Sequence, residues 1–203
     1  PLVATTAIFA LAYLAAILQF PAMFSTRVLG NFLTDNAFLG IAAVGMTFVI
    51  LSGGIDLSVG AVIGFTTVLI AVLIMWLNLH PLLAFAVALV VASAFGAIMG
   101  AAIHYLKVPS FIVTLAGMFL ARGGASVLSP DSIGIEHPFY SAVSKSYILL
   151  PGGGRLTVVG MIMLAVFAVA ILLAHRTRFG SNVYALGGSE SSAALMGVPV
   201  ART

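Results

Sequence analysis

Six long apolar stretches, almost free of charged side chains, constrain this sequence more than any other feature. They cover residues 2–20, 37–51, 57–77, 82–105, 108–124 and 156–174. A helix needs about 20 apolar residues to cross roughly 30 Å of hydrocarbon, and a segment in lipid must satisfy its own backbone hydrogen bonds. The sequence therefore predicts an all-α, polytopic transmembrane helical bundle of about six spans.

Composition agrees with lipid as the main solvent. Hydrophobic residues make up 62% of the chain and charged residues 6%, with a mean hydropathy of +1.24, outside the range of soluble domains. A transmembrane barrel does not fit, because its strands are about ten residues long and alternate in polarity. The net charge of +3 comes from eight scattered Lys and Arg. We therefore expect a lipid bilayer around the chain and no nucleic-acid partner.

The remaining charges predict an orientation. The tail, residues 175–203, holds three arginines against one glutamate, and basic residues favour the cytoplasmic side. Counting six crossings back from that tail places the polar segment 129–155 outside, where we expect a loop bearing a short helix. We divide the chain into a transmembrane core, residues 1–174, and a cytoplasmic segment, residues 175–203. Three basic residues fall outside in this scheme, so the charge bias is modest: Arg27, Lys145 and Arg155.

A glycine-rich break, residues 52–58, separates the second and third stretches and carries one carboxylate, Asp56. An ionisable residue near membrane depth is a functional hypothesis by default, and broken helices are how transporters build polar sites. Asp56 can also cap the third span by accepting backbone N–H groups, and the two roles are compatible. The candidate residues for a substrate pathway are Ser52, Gly53, Gly54, Asp56 and Ser58.

Arg122 is the one charged residue within the six stretches. Its long side chain can extend from the fifth span to the headgroup layer, or it can pair with a carboxylate inside the bundle. The sequence leaves both interpretations open.

The tail predicts one short helix over residues 189–196. Ser189 is in position to cap it, Glu190 falls in its first turn, and Gly197 followed by Pro199 stops it. Two turns are too short to be stable alone, so a helix here requires a partner surface, with Ala193, Ala194 and Met196 available for contact. From the pattern alone, a surface loop is the alternative.

Enzyme and metal signatures are missing from the sequence. Neither lysine follows glycine as a phosphate-binding loop requires, and no HExxH or GxSxG motif occurs. Cysteine is absent, and the four histidines have no helical pair spacing. We expect no catalytic residue, metal site or cofactor. An ion-coupled secondary transporter using Asp56 remains the main alternative, and an intramembrane enzyme would need a second carboxylate.

Three blocks of the chain resemble the permeases of the ribose, xylose and galactose class of ABC importers. They are residues 45–60, 108–118 and 180–198. The resemblance extends from Asn31 over essentially all the remaining residues. Within the class, the chain looks most like the galactofuranose permeases. That similarity lies in residues 34–40, 137–138, 151–156 and 173–180.

This resemblance implies alternating-access import of a monosaccharide, galactofuranose or a related sugar, across the bacterial inner membrane. The implied partners are a second permease subunit, identical or different, a periplasmic sugar-binding protein and a cytoplasmic ABC ATPase. ATP hydrolysis would belong to that ATPase, so the chain is not expected to be an enzyme. Permeases of this class continue with further spans, so the chain is expected to be an N-terminal fragment.

The resemblance also assigns the tail helix, residues 189–196, as the coupling helix that docks on the ATPase. The residues that match this coupling segment are Gly187, Gly188, Ser189, Glu190, Ala193, Ala194, Met196 and Gly197.

Overall fold

The computed structural model describes residues 2–203, and this part of the chain is helical apart from one small hairpin. Ten α-helices occur among the described residues: α1 Leu2–Gln19, α2 Thr26–Asp35, α3 Ala37–Leu51, α4 Val59–Met75, α5 Pro81–Leu106, α6 Ser110–Leu128, α7 Pro138–Lys145, α8 Val158–Arg176, α9 Arg178–Gly188 and α10 Glu190–Leu195. The strands are β1 Tyr147–Leu149 and β2 Arg155–Thr157, and 3₁₀ turns cover Pro21–Met23 and Val200–Arg202.

Each predicted apolar stretch corresponds to one helix: α1, α3, α4, α5, α6 and α8 in order. Helices α5, α6 and α8 are long and apolar enough to cross a membrane. Helices α2 and α3 reach that length together but are bent by 60°, while α1 and α4 are shorter. These helices confirm an all-α polytopic membrane fold. The count of six crossings and the division of the chain after residue 174 stay predictions.

Helix ends differ from the predicted stretches where local chemistry sets the boundary. Pro81 begins α5, a position where its missing N–H costs nothing, and His80 caps it through Nδ1, which accepts the N–H of Leu82 at 3.3 Å. Helix α6 continues beyond the predicted stretch to Leu128. Helix α8 begins only at Val158, because the two residues before it belong to β2.

The hairpin was not predicted, since the segment 129–155 was expected to be a loop bearing a short helix. That helix is α7, and β1 then pairs antiparallel with β2. The turn between them places Gly152 and Gly153 at φ values of +88° and +82°, a region that glycine enters without steric cost. The N–H of Leu150 closes the turn on the carbonyl of Gly154 at 2.8 Å.

Backbone contacts divide the chain into two compact units, which are described separately. The first takes in the chain as far as Ile41 together with Ser141–Val169. In this unit α2 packs against the hairpin, and a Cβ at Gly30 would overlap the carbonyl of Arg155. Thr34 and Thr157 join the two elements through their hydroxyl groups at 2.9 Å. Small residues thus let the hairpin backbone lie directly on α2.

The second unit, Ala42–Tyr140 with Ala170–Thr203, centres on α4, which packs against both α5 and α6. Its buried positions are mainly small residues: Ala71, Ala84, Ala88, Gly117 and Ala121. Small side chains allow membrane helices to approach closely, because apolar groups gain little by leaving lipid for protein. Large apolar side chains such as Leu89 and Ile98 are exposed instead, as expected for surfaces that face lipid.

Candidate functional site

The glycine-rich break starts with a regular helix stop. Gly53 has a φ of +82°, the left-handed conformation that ends many helices. Its N–H donates to the carbonyl of Ile50, and the N–H of Gly54 donates to the carbonyl of Val49, both at 3.0 Å. The hydroxyl of Ser52 donates to the same Val49 carbonyl at 2.8 Å. The carbonyls of Val49 and Ile50, near the end of α3, are therefore satisfied inside the protein.

Asp56 stabilises the other end of the break. Its Oδ1 accepts the backbone N–H of Ser58 at 2.7 Å and the hydroxyl of Ser58 at 2.6 Å. Ser58 is only 1% exposed and occupies the cap position of α4 without a capping bond of its own. Asp56 thus supplies the expected carboxylate at the start of α4, two residues earlier than a standard N-cap.

The middle of the break is tied to the start of α6. The N–H of Ile55 donates to the hydroxyl of Ser110 at 3.3 Å. The single hydroxyl hydrogen of Thr114, a residue 4% exposed, is shared between the carbonyl of Ser110, at 2.8 Å, and that of Ile55, at 3.3 Å. Both backbone groups of Ile55 therefore have partners on α6, which the sequence alone did not indicate.

The tail meets the break through bare backbone. A Cβ on Gly187 would overlap the carbonyl oxygen of Leu51, and a Cβ on Gly53 would lie 3.8 Å from the Cα of Gly187. Between the same two helices, the rings of Phe48 in α3 and Phe179 in α9 lie 5.6 Å apart. The end of α9 is thus packed on the end of α3, and Gly187 is small enough for that approach.

Helix α10 has the cap and the stop that the sequence predicts. The hydroxyl of Ser189 accepts the N–H of Ser192 at 3.3 Å, and Glu190 lies in the first turn, where its charge suits the helix dipole. Gly197, with φ +83°, ends the helix, and the N–H of Val198 donates to the carbonyl of Ala193 at 3.0 Å.

The exposed side of α10 differs in one respect from the expected contact surface. Ala193 was expected to be available to a partner, but its side chain is fully buried at 0% exposure, because α10 packs back against α9. Ala194 is exposed as expected, and the large apolar side chains that α10 and its cap expose are Leu195, 90% exposed, and Met196, 72% exposed. Leu195 therefore takes the place of Ala193 on the surface open to a partner.

Residues of the break and of the tail line one cleft of about 710 Å³ in the second unit. Four of the five predicted pathway residues line it, and the buried Ser58 does not. The cleft also holds His104 and Lys107 at the end of α5, and Glu190 of the tail. Lys107 ends α5 in a left-handed conformation, with φ +54°. The break therefore lies at the same end of this unit as the tail, rather than midway along the helices.

Arg122 lies on the exposed surface of α6. It is six residues before the helix ends at Leu128, which is about 9 Å along a helix axis. That distance is within reach of a side chain extending toward a headgroup layer.

The first unit contains a separate polar pocket of about 400 Å³. Its lining residues are Asn31, Thr34, Asp35, Ser144, Lys145, Tyr147, Arg155 and Thr157. A second pocket of about 390 Å³ shares Asn31 and Arg155 and adds Arg27. The Arg155 guanidinium lies 4.7 Å from the centre of the Tyr147 ring. The three basic residues that the orientation places outside therefore gather around two neighbouring pockets.

Two histidines that are distant in sequence come together near α7. The rings of His80 and His137 lie 5.9 Å apart, and each Nδ1 accepts a backbone N–H at a helix start. Burial in this aromatic cluster raises the pKa of the Tyr140 phenol above its usual value. Among residues 2–203, no group of three or more metal-ligating side chains could hold an ion. The pair acts as helix caps.

Comparison with known proteins places the chain among membrane permeases. Residues 28–203 match the family model described as branched-chain amino acid transport system / permease component. The inner membrane ABC transporter permease protein YjfF of Escherichia coli is 57% identical over 203 residues, which is all of this chain and 61% of that protein. No solved structure matches the chain.

Two further relatives carry the names of sugar import permeases. The fructose import permease protein FruG of Bifidobacterium longum is 38% identical over 94% of this chain and 59% of its own length. The ribose import permease protein RbsC of Escherichia coli is 36% identical over 89% of this chain and 56% of its own. The chain spans somewhat over half the length of these relatives. It belongs to the family of branched-chain amino acid transport system permease components.

Proposed function

We propose that this chain forms part of the membrane-spanning permease of an ATP-driven importer of a monosaccharide. The observation that carries the proposal is the tail: a capped helix of six residues that exposes Leu195, with Met196 exposed at its end. This helix adjoins a cleft that polar residues of the break help to line. Packing on α9 leaves Leu195 and Met196 uncovered, and an ATPase on the cytoplasmic side would cover them. Family membership and the sugar names of two relatives support the same conclusion.

The cleft forms the cytoplasmic end of the substrate pathway. Backbone and side-chain polar groups of the break converge there with Lys107 and Glu190, whereas most of the helix surface is apolar. A sugar that leaves the transporter exchanges the hydrogen-bond partners of its hydroxyl groups for water. Polar groups at the exit lower the free-energy cost of that exchange. Asp56 shapes this region by holding the start of α4, without contacting the sugar.

Galactofuranose or a related sugar is the proposed cargo, and this choice depends on the resemblance of residues 151–156 and 173–180 to galactofuranose permeases. The ion-coupled alternative gains no support, since the similar proteins are named as ABC or import permeases. Oδ1 of Asp56 already accepts two hydrogen bonds from Ser58, an arrangement that suits a structural role better than ion transfer.

The remaining partners follow from the same proposal. A second permease subunit, identical or different, covers part of the exposed apolar surface in the bacterial inner membrane. A periplasmic sugar-binding protein docks outside, where the pockets around Arg27, Lys145 and Arg155 offer three positive charges against the one carboxylate of Asp35. Complementary acidic groups on that protein would steer its approach.

The proposed function is tested by measuring whether the tail docks on the ATPase. In the complete permease, the double substitution Glu190→Lys and Met196→Asp should abolish co-purification with the ATPase, because it reverses one charge and adds another on the exposed side of α10. Membrane insertion should stay normal, as both side chains are exposed.

Ser181→Lys is the matched control, since Ser181 is exposed on α9 and lies outside the coupling segment. It should co-purify with the ATPase as the wild type does. Undiminished co-purification of the Glu190→Lys, Met196→Asp variant would refute the proposed docking.

A further inference from the structure

We infer that the glycine-rich break, residues 52–58, moves during transport. The contact of Gly187 with Leu51 transmits motion of the tail helix α10 into this break. This inference rests on the proposed function, because it assumes that α10 is displaced by an ATPase. It assigns to Gly187 a positioning role that is separate from ATPase docking.

The first step of the path runs from α10 to α9. Only Ser189 separates the two helices, and it serves both: its N–H donates to the carbonyl of Ala185 at 3.2 Å, and its hydroxyl caps α10. Ala193 is fully buried, and α10 packs against α9. A displacement of α10 is therefore carried to the end of α9 without a flexible linker.

The second step runs from α9 to the break. Gly187 presents bare backbone to the carbonyl of Leu51 and lies against Gly53. Backbone atoms cannot yield by changing rotamer, as the tip of a side chain can. Motion at the end of α9 is therefore passed directly to the end of α3.

The third step runs from the break to α6 and α4. Ile55 is held on α6 through Ser110 and Thr114, and Asp56 is held on Ser58 at the start of α4. Residues 52–58 are thus fastened to α9 on one side and to two helices on the other. Since the same residues line the cleft, a shift of this segment changes the width of the cleft.

A decisive variant is Gly187→Ala in the complete transporter. Its added methyl group overlaps the carbonyl of Leu51 and changes no side chain of α10. Sugar transported per ATP is measured on the assembled complex, so it reports coupling separately from docking. We expect it to fall about tenfold, a size typical of coupling between sites.

Gly45→Ala is the matched control, because Gly45 lies in α3 and no atom stands within 4 Å of its added Cβ. Sugar transported per ATP should be the same in this variant as in the wild type. Normal transport by Gly187→Ala would overturn the inference.

Thr114→Val tests the far end of the path and keeps the test valid if Gly187→Ala fails to accumulate. Valine preserves the volume but removes the bond to Ile55, so sugar per ATP should fall about threefold, the scale of one hydrogen bond. Unchanged sugar per ATP in Thr114→Val would also overturn the inference.

Combining Gly187→Ala with Thr114→Val gives the final check. If both residues belong to one path, their effects on sugar transported per ATP should not add. The double variant should then transport as much sugar per ATP as Gly187→Ala, whereas additive losses would show that the two sites act independently. If the proposed docking itself were wrong, the Glu190→Lys, Met196→Asp variant would keep its ATPase, which is a different result.

Discussion

Asp56 illustrates how the role of one carboxylate depends on its immediate neighbours. An ionisable residue between apolar stretches suggests ion or proton transfer, yet Oδ1 accepts both the N–H and the hydroxyl of Ser58. Ser58 is buried, so its N–H would lack an acceptor if Asp56 were truncated. At this position, satisfying a buried backbone group explains the carboxylate without an ion.

Two substitutions of Asp56 separate the structural role from ion coupling. Asp56→Ala should lower the stability of the complete permease by about 1–2 kcal/mol, the usual cost of losing a helix cap. Asp56→Asn keeps an oxygen acceptor and should lose only about 0.5 kcal/mol, through the weaker interaction with the helix dipole. Thermal unfolding in detergent measures both.

Sugar uptake provides the second measurement for these variants. Asp56→Asn should transport nearly as well as the wild type, because amide and carboxylate oxygens both accept the bonds of Ser58. Abolished uptake in Asp56→Asn together with unchanged stability would instead support an ion-coupling carboxylate.

At the level of elements, the apolar helices were predictable and the elements held by tertiary contacts were not. Helix α9 has glycine at three of its eleven positions, which weakens any local signal. It is held by packing, since Gly180 lies directly on the carbonyl of Ala174 and Phe179 meets Phe48. Tertiary packing of this kind provides most helical stability in proteins.

The hairpin was missed for a related reason. Residues 156–157 continue into the apolar run of α8, so hydropathy alone assigns them to a span. What makes them a strand is pairing with β1 and close packing on α2, where a Cβ at Gly154 would overlap the carbonyl of Thr26. The glycines at residues 152–154 were the available local sign of a turn.

The hairpin and α2 together make a second prediction at this scale. Replacing Arg27 and Arg155 with glutamine should weaken stimulation of the ATPase by the sugar-binding protein, because both charges border the same pocket. The half-saturating concentration of binding protein should rise about tenfold at low salt and less at high salt, since salt screens exposed charges.

Ser132→Glu is the control for these charge changes. It alters the charge of the connector that carries Arg155 by one unit at an exposed position, outside both pockets. A half-saturating concentration unaffected by the two glutamine substitutions would exclude these arginines from docking.

For the whole molecule, hydropathy specified the class of fold, but only the three-dimensional arrangement related the two candidate sites. The sequence treats the break, residues 52–58, and the tail, residues 187–197, as separate signals about 130 residues apart. The structure brings Gly187 against Leu51 and places Glu190 in the cleft of the break. Such long-range contacts have no periodic signature, because small residues in contact look the same as small residues exposed to lipid.

Orientation is the whole-molecule property on which both proposals depend. The chain has no cysteine, so single cysteines placed in a cysteine-free version of the complete permease can report sidedness. In sealed right-side-out vesicles, Ser132→Cys should react with a membrane-impermeant maleimide, because the positive-inside rule places its connector outside. Ser191→Cys, exposed on α10 in the tail, should react only after the vesicles are opened. Labelling of Ser191→Cys from outside would place α10 on the side without ATP, so the tail could not dock on a cytoplasmic ATPase.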